Sequence, residues 1–508
     1  MRNYLVVVFY LLLSTGLVGC DSGNPMDTEK SISWLNMCPD FSTTGKAPVA
    51  QNAQCGTLDV AENPQDKNSK KIALNVLRIP AVNPVPEQDP LFVIAGGPGQ
   101  AAVVVAESMH SLFRDVRKNR DIVFVDQRGT GKSNPFPCEF DAESTKPMPI
   151  AEEEALGREA VKQCIEKIKD YAAYYTTNYA VQDLDAVRAA LGYEKINLWG
   201  GSYGSRVVLE YLRRYPIHTR ASVLDGVAPV AIALPWSMET DGLAALQTIN
   251  KQCANTPACL THFGDIVQKA QTISSRLLAN PQDIKITHPR TQEKVIVNMA
   301  AQDFSGVIRL ALYSRDLSSL LPQVISDAEA GDYSVLASLV YLAKSKSEMA
   351  GINYGMHYTV VCNEDYPLYK DKPATDANVF LNTQMVQKYS EICEHWPRAQ
   401  LPDDYWAPVK SDSPVLALSG AVDPVTPPYW GEQVKAGLTN LTHIVAPGGH
   451  HIVTSEGCIA QLITAFIAKG DGKALDASCA KNIQPLAIYI PPSFMEKVNS
   501  PETIKGKE

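Results

Sequence analysis

Short apolar runs alternate with amphipathic stretches over the first half of the chain, and this alternation most restricts the fold. The segment 178–192, NYAVQDLDAVRAALG, places apolar residues at helical spacing and ends in a glycine. Strands and helices in alternation predict an α/β fold, with a mainly parallel sheet covered by helices on both faces. Five runs are interpreted as its strands: KKIALNVLRIP (70–80), PLFVIAGG (90–97), DIVFVDQRG (121–129), KINLWGG (195–201) and ASVLDGV (221–227).

The pattern changes after about residue 230, where helical periodicity replaces the strand signals. Strand patterns return in SPVLALSGAVDPVTPP (413–428) and THIVAPGGHH (442–451), and a helix pattern follows at 458–470. Strand patterns that are interrupted by a long helical block predict a core domain with an inserted, mostly helical cap. The predicted division is core over 36–230, cap over 231–405 and core again over 406–500.

Composition and charge narrow the function class. Of the 508 residues, 45% are apolar and 20% are charged, a balance that argues against wholesale disorder. The formal net charge of −9 argues against a nucleic-acid partner. No CxxC or histidine-rich spacing suggests zinc, so we expect neither a metal site nor a cofactor.

The N-terminus has the pattern of an export signal. Arg2 precedes YLVVVFYLLL (4–13), which is too short to span a bilayer and is typical of a signal-peptide core. LVGC (17–20) resembles the bacterial lipoprotein box, and the resemblance implies cleavage before Cys20 and acylation of its thiol. We therefore expect a signal peptide over 1–19, a polar tether over 20–35 and a lipid-anchored protein of the bacterial envelope, on the periplasmic side. A plain secretory signal is the alternative.

The remaining cysteines fit an exported protein. They are even in number, which in such a chain favours disulfides over metal or redox chemistry. Pairing between successive cysteines closes the shortest loops, which a folding chain forms most readily. The predicted pairs are Cys38–Cys55, Cys138–Cys164, Cys253–Cys259, Cys362–Cys393 and Cys458–Cys479.

The stretch GGSYG (200–204) predicts a nucleophile. It follows an apolar strand and precedes a helix pattern, the strand–turn–helix setting in which a serine is held exposed on a sharp turn. Gly200 and Gly204 allow the backbone to approach itself where side chains would clash. Ser202 is then the nucleophile, and the backbone N–H of Tyr203 is one oxyanion donor. A plain strand-to-helix turn is the alternative.

A base and an acid are expected at the ends of later strands. Asp423 lies in SGAVDPVTPP, and His450 and His451 lie in APGGHHIV. The chain order Ser, Asp, His is that of an α/β-hydrolase triad. We prefer His450 as the base because it directly follows the glycine pair, with His451 lining the substrate pocket. Asp423 could instead be a turn-capping residue.

A second oxyanion donor is expected from the loop AGGPGQ (95–100), which follows an earlier strand. Its glycines would let the backbone approach a substrate closely. A flexible turn is the alternative interpretation.

Together, GGPG (96–99), DQRGTGKS (126–133), GGSYG, the Asp423 loop and GGHH (448–451) resemble the prolyl iminopeptidase family of α/β-hydrolases. The long cap and the C-terminal region are most similar to its secreted tripeptidyl-aminopeptidase-like branch. The resemblance implies that Gly97 supplies the second oxyanion N–H and that Arg128 organises the loop beside the site. The chain departs from the family pattern at Ala95, where a histidine is usual, and at His451, where a glycine is usual.

Members of this family remove residues from free peptide N-termini and hold the substrate ammonium with acids of the cap. In VVCNEDY (360–366) the resemblance points to Glu364 and Asp365, although both could be ordinary solvated acids. The expected function is a serine aminopeptidase that releases a single residue, a dipeptide or a tripeptide through an acyl-enzyme. The alternatives are an esterase or amidase with the same triad, and a binding protein without turnover.

Overall fold

The computed structural model describes residues 33–38, 52–138, 140, 150–288, 291–345, 351–372, 381 and 384–492. The predicted signal peptide and Cys20 lie outside the described residues. Residues Met1–Ser33 and Trp34–Glu508 form two separate units, and the description below concerns the second.

Eleven strands are found in the described part of the chain, nine of them in one sheet. The apolar runs form the buried central strands because every side chain of such a strand faces a covering layer. The strands are β1 (Leu35–Met37), β2 (Gln54–Ala61), β3 (Lys71–Ile79), β4 (Leu91–Ile94), β5 (Ile122–Val125), β6 (Ile196–Gly201), β7 (Thr219–Asp225), β8 (Gln282–Thr287), β9 (Lys294–Met299), β10 (Val415–Gly420) and β11 (Leu441–Ala446).

The strand order of the large sheet is β1-β2-β3-β5-β4-β6-β7-β10-β11. The six strands from β5 to β11 in this order run parallel, whereas β1, β2 and β3 are antiparallel. The predicted α/β fold with a mainly parallel sheet is confirmed. The sequence reading missed β1 and β2, whose side chains are mostly half-buried or exposed because these strands lie at the sheet edge.

Helices cover the sheet and build the inserted block, and α3 occupies the segment predicted to be helical. In the described residues no helix has the length and apolar character needed to cross a membrane. The helices are α1 (Ala106–Leu112), α2 (Ile150–Ile168), α3 (Thr177–Ala190), α4 (Tyr203–Arg214), α5 (Trp236–Ala254), α6 (Pro257–Phe263), α7 (Ile266–Ala279), α8 (Ala301–Leu312), α9 (Arg315–Ser318), α10 (Leu321–Glu329), α11 (Ser334–Ser345), α12 (Tyr354–Val360), α13 (Met385–His395), α14 (Pro428–Lys435) and α15 (Ile459–Lys469).

The cap lies between β7 and β10, which are neighbours in the sheet. Its helices α5 to α13 pack partly around their own apolar core, in which Leu246, Phe263 and Phe304 are almost fully buried. The hairpin β8–β9 was not predicted, and it adds two strands to a block that is otherwise helical. Because the chain leaves the sheet at Asp225 and returns at Val415, the cap emerges beside the ends of the strands that carry the site. The boundaries 231–405 stay a prediction.

All five predicted disulfides are present among the described residues. Each disulfide joins two segments that are close in sequence. In the cap, Cys362–Cys393 joins the helical turn after α12 to α13. The pairs are Cys38–Cys55, Cys138–Cys164, Cys253–Cys259, Cys362–Cys393 and Cys458–Cys479.

Candidate active site

Ser202 occupies a strained turn between β6 and α4. Its backbone has φ 54° and ψ −125°, a region that costs a residue with a side chain about 1–3 kcal/mol. The turn is held by the Ser202 N–H, which donates to the Asp225 carbonyl at 2.8 Å, and by the Ser205 N–H, which donates to the Ser202 carbonyl at 2.8 Å. The predicted strand–turn–helix geometry is therefore formed, with the serine at its apex.

The flanking glycines are required by close backbone packing. A Cβ on Gly204 would lie only 2.8 Å from the Ala95 carbonyl oxygen, and one on Gly200 would lie 2.7 Å from a Val208 methyl group. A Cβ on Gly96 would lie 3.7 Å from Ser202 Oγ. These contacts explain GGSYG and place the glycine-rich loop after β4 directly over the serine.

Asp423 pairs with His451. Nδ1 of His451 lies 3.0 Å from Asp423 Oδ1 and 2.9 Å from Oδ2, and the carboxylate is 1% exposed. Asp423 also accepts hydrogen bonds from the N–H groups of Val425 and Thr426 and from the Thr426 hydroxyl. These bonds hold the carboxylate in one orientation, with Nδ1–H of His451 directed at it.

The preference for His450 as the base is contradicted by this geometry. Nε2 of His450 lies 2.8 Å from the Ser318 hydroxyl in the cap, and its Nδ1 lies 3.3 Å from the Gly448 carbonyl. The turn after β11 is closed by Gly449, whose carbonyl accepts from the Val422 N–H at 3.0 Å. The next two side chains then point to different places, His450 toward the cap and His451 toward Asp423. His451 thus has the place beside Asp423 that was predicted for His450.

His451 and Ser202 both lie near the end of β7. Ser202 is bonded to the Asp225 carbonyl, and His451 Cε1 would lie 3.4 Å from a Cβ placed on the next residue, Gly226. With Nδ1 engaged by Asp423, Nε2 is the nitrogen available to the serine hydroxyl. Three side chains distant in sequence are therefore brought to one corner of the sheet.

Electrostatics match these roles. Burial lowers the pKa of His451, but attraction and a hydrogen bond from Asp423 outweigh it and raise that pKa above its usual value. Burial also raises the pKa of Asp423, yet His451 and the Thr426 donors outweigh it and hold that pKa below its ordinary value. For His450, burial is the main cause and lowers the pKa. The Asp423 carboxylate stabilises the protonated form of His451. A histidine that acts as a general base takes on that form when it accepts the serine proton.

The predicted oxyanion donors border the same cavity. Gly97, in a left-handed conformation with φ 108°, and Tyr203, the first residue of α4, both line it beside Ser202. Backbone N–H groups at a helix start and in a glycine-rich turn are suited to developing negative charge.

The cavity has a volume of about 210 Å³ and is enclosed by core and cap. The cap contributes Met238, Tyr313, Met385 and Tyr389, and Arg206 of α4 lies at its wall. The Tyr313 ring stands edge-on to the His451 ring, with centroids 4.8 Å apart. The cavity beside Ser202 is therefore lined mainly by apolar and aromatic side chains.

The structure does not bring Glu364 and Asp365 to the cavity wall as predicted. Both are completely buried. Glu364 accepts from the N–H and hydroxyl of Thr177, at 2.7 and 2.8 Å, and from the Tyr405 hydroxyl. Asp365 pairs with Arg206 at 2.8 Å, so the guanidinium stands between these acids and the cavity.

Arg128 is placed as the resemblance implies. It is fully buried and forms a two-pronged ion pair with Asp183, at 2.6 Å for each oxygen. It also donates to the carbonyls of Glu62 and Tyr174 at 2.8 Å. Arg128 therefore joins the DQRG loop to β2 and α3 and takes no place in the cavity.

Sequence reasoning missed two residues that support the Asp423–His451 pair. Thr426 donates to Asp423 Oδ2 at 2.6 Å, a contact that the spacing DPVT could have suggested as an aspartate turn. Asp225 accepts from the N–H groups of Val453 and Thr454, at 2.9 and 2.8 Å, and burial raises the pKa of Asp225 to about 6. It thereby fixes the backbone just after His451, a contact between residues too far apart in sequence to predict.

Known proteins of similar sequence agree with this architecture. The family model described as "alpha/beta hydrolase fold" matches residues 89–248, and the model described as "TAP-like protein" matches residues 377–479. The chain is 24% identical to serine protease Hip1 of Mycobacterium tuberculosis, over 87% of this chain and 90% of that protein.

Two further relatives carry different activities in their names. Tripeptidyl aminopeptidase of Streptomyces coelicolor is 26% identical, over 89% of this chain and 87% of the relative. Carboxylesterase B of Mycobacterium tuberculosis is 27% identical, over 88% and 90%. The family models, the parallel sheet and the serine elbow lead to one classification: the chain belongs to the α/β-hydrolases, as a hydrolase whose C-terminal region is TAP-like.

Proposed function

We propose that this protein is a serine aminopeptidase that removes one to three residues from free peptide N-termini. The observation that carries the proposal is a triad-like arrangement of Ser202, His451 and Asp423 at the mouth of a small cavity roofed by the cap.

The proposed reaction begins when Ser202 Oγ attacks the scissile carbonyl carbon and His451 Nε2 takes the hydroxyl proton. The N–H groups of Gly97 and Tyr203 receive the oxyanion. His451 then gives its proton to the leaving amine, and the C–N bond breaks to leave an acyl-enzyme. A water deprotonated by His451 hydrolyses the ester and regenerates Ser202.

The cavity size favours cleavage near a chain end. Its volume of about 210 Å³ is below the roughly 300–1,000 Å³ of pockets that enclose drug-sized ligands. Cleavage in the middle of a chain needs a groove open on both sides of the nucleophile. Cap residues such as Met385 and Tyr389 line the small cavity beside Ser202. We infer that a short terminal segment fits there better than the middle of a peptide chain.

Acidic residues behind the cavity offset the positive charge of Arg206 at its wall, which makes the site compatible with a substrate amino terminus. Arg206 is the one cation of a buried cluster that also holds Glu364 and Asp365, at 3.5 and 2.8 Å. Burial is the main cause that raises the pKa of Asp365 to about 7. Once Asp365 is ionised, its charge offsets that of the Arg206 guanidinium at the cavity wall, so the wall repels a substrate ammonium less than a lone guanidinium would.

Matched peptides with a free and an acetylated N-terminus test the proposal. Mass spectrometry of the products should show N-terminal fragments released from the free peptide, with kcat/KM at least tenfold lower for the acetylated one. Ser202→Ala should abolish cleavage of both peptides while the fold is retained. Equal cleavage of the two peptides, or internal cleavage, would contradict the aminopeptidase assignment.

A small-molecule esterase is the second candidate, favoured by the similarity to carboxylesterase B. Its mark would be efficient turnover of simple esters with no measurable release from peptides. The same Ser202→Ala variant would then abolish ester hydrolysis alone.

We also propose that the protein is exported to the bacterial envelope and lipid-anchored through Cys20. The sequence pattern at 4–20 supports this, as do the five disulfides of the described residues, which persist in oxidising compartments. Mass analysis of the mature N-terminus should find a diacylglycerol-modified Cys20. A mature N-terminus at another residue, without a lipid, would indicate a plain secretory signal instead.

A further inference from the structure

His357 of α12, a cap residue, joins the oxyanion loop to a second cap residue, Tyr389. Its Nδ1 lies 3.2 Å from the Pro98 carbonyl oxygen, and its Nε2 lies 2.9 Å from the Tyr389 hydroxyl on α13. His357 and Tyr389 both line the cavity at Ser202. One imidazole thus connects the loop that carries Gly97 to a hydroxyl that a substrate can touch.

The chemistry of the partners fixes the protons. A carbonyl oxygen only accepts, so Nδ1 of His357 must carry hydrogen. Burial lowers the pKa of His357 to about 4, which leaves the ring neutral near pH 7. Nε2 is therefore an acceptor and receives a hydrogen bond from the Tyr389 hydroxyl, which keeps its proton. The Tyr389 oxygen is left with lone pairs, so toward a substrate it acts as an acceptor.

The oxyanion loop depends on the cap for its position. The Gly99 carbonyl accepts from the Asn353 N–H at 2.9 Å, and the Ala101 N–H donates to the Gly351 carbonyl at 3.1 Å. A Cβ on Gly97 would lie 2.8 Å from the Gly99 N atom, so the turn is tight. The bond from His357 to Pro98 is the side-chain contact nearest in sequence to the Gly97 donor.

We propose that His357 is a positioning residue that holds the Gly97 donor in place and sets Tyr389 as an acceptor for the substrate's α-ammonium. The first role rests on the proposed catalytic function of Ser202 and Gly97, and the second on the proposed aminopeptidase activity. Neither role involves contact between His357 and the reacting atoms.

Two amide substitutions separate the roles. The amide of asparagine reaches the place of the histidine Nδ1, and the amide of glutamine reaches the place of Nε2. His357→Asn therefore keeps a donor for Pro98 and loses the Tyr389 bond, whereas His357→Gln does the reverse. Tyr389→Phe is the matched control, because it removes the hydroxyl and leaves the loop bond intact.

The assay compares a free-amine peptide with a simple ester that lacks an amine. We expect His357→Gln to lower kcat at least tenfold on both substrates, with KM changed less than threefold, since displaced oxyanion donors lower transition-state stabilisation. We expect His357→Asn and Tyr389→Phe to raise KM for the peptide about tenfold, and to lower kcat on the ester less than His357→Gln does. That shift equals about 1.4 kcal/mol.

The proposal is overturned if His357→Gln retains kcat, or if both amide variants lower kcat equally and melt at the same reduced temperature, which would indicate packing alone. If the unaltered protein hydrolyses the ester but not the peptide, the proposed aminopeptidase activity is refuted instead. Failure of the unaltered protein on both substrates would refute the hydrolase site as a whole.

Discussion

Replacing Asp423 by asparagine should reverse the tautomer of His451. Oδ1 of Asp423 accepts from two backbone N–H groups, those of Val425 and Thr426, at 2.9 and 2.8 Å. The single oxygen of asparagine should stay at this position, because turning it away leaves two buried donors unsatisfied at about 1–3 kcal/mol each. The new NH₂ group then takes the place of Oδ2, 2.9 Å from His451 Nδ1.

Nδ1 then faces an amide donor in place of Oδ2, and the oxygen that remains 3.0 Å away is no longer part of a carboxylate, so the tautomer with its proton on Nε2 is favoured. The nitrogen that should receive the Ser202 proton is then blocked. Loss of the correct tautomer and of the carboxylate charge lowers kcat about 10³–10⁴-fold in triads of this kind, or about 4–5.5 kcal/mol.

The measurement is kcat on a chromogenic substrate at neutral pH, with proton NMR of the imidazole N–H to follow the tautomer. Asp241→Asn is the matched control: it alters another buried carboxylate, one that accepts from Tyr429 and Trp430 rather than from a histidine. We expect that control to stay within about threefold of the parent, a difference of less than 1 kcal/mol. Asp423→Asn with kcat within tenfold of the parent would refute the tautomer argument.

Three further outcomes follow from the structure. Because its neighbouring carboxylate raises the pKa of His451, kcat/KM should fall on acidification with a midpoint above about 6.5, and an acid limb near pH 5 would contradict the pairing. Gly204→Ala, whose Cβ would meet strand carbonyls, should lower the free energy of unfolding by about 1–3 kcal/mol, whereas Gly157→Ala, with open space around it, should not; equal unfolding midpoints in urea would count against the packing account. Replacing Cys362 and Cys393 by alanine opens a loop of sequence separation 31 and should cost about 3–4 kcal/mol, measured by thermal unfolding; an unchanged melting temperature would argue that the link is not stabilising.

The sheet could be read from the sequence where local pattern and burial agree. Strands β4 and β5 contain only apolar residues, β6 contains a single polar side chain, that of Asn197, and all three strands are entirely buried, so their pattern is unambiguous. Strand β8 alternates half-buried and exposed residues, and its identity depends on pairing with β9. The sequences of β8 and β9 alone do not distinguish these strands clearly from their helical surroundings, which is why the hairpin was missed.

The site was predictable where a backbone constraint left a mark in the sequence. Gly200 and Gly204 are required by close backbone approach, and in the sequence these two glycines indicate that Ser202 lies on a sharp turn. Adjacent histidines carry no such mark. Which of His450 and His451 faces Asp423 is decided by the contact of Gly449 with the loop at 420–422, a tertiary feature that spacing does not encode.

The most direct test of the central claim exchanges each histidine separately for glutamine and measures kcat and the rate of Ser202 labelling by a fluorophosphonate. The account predicts that His451→Gln loses at least about 10³-fold in both quantities, while His450→Gln stays within tenfold of the parent. The opposite pattern, with His450→Gln inactive and His451→Gln active, would contradict it.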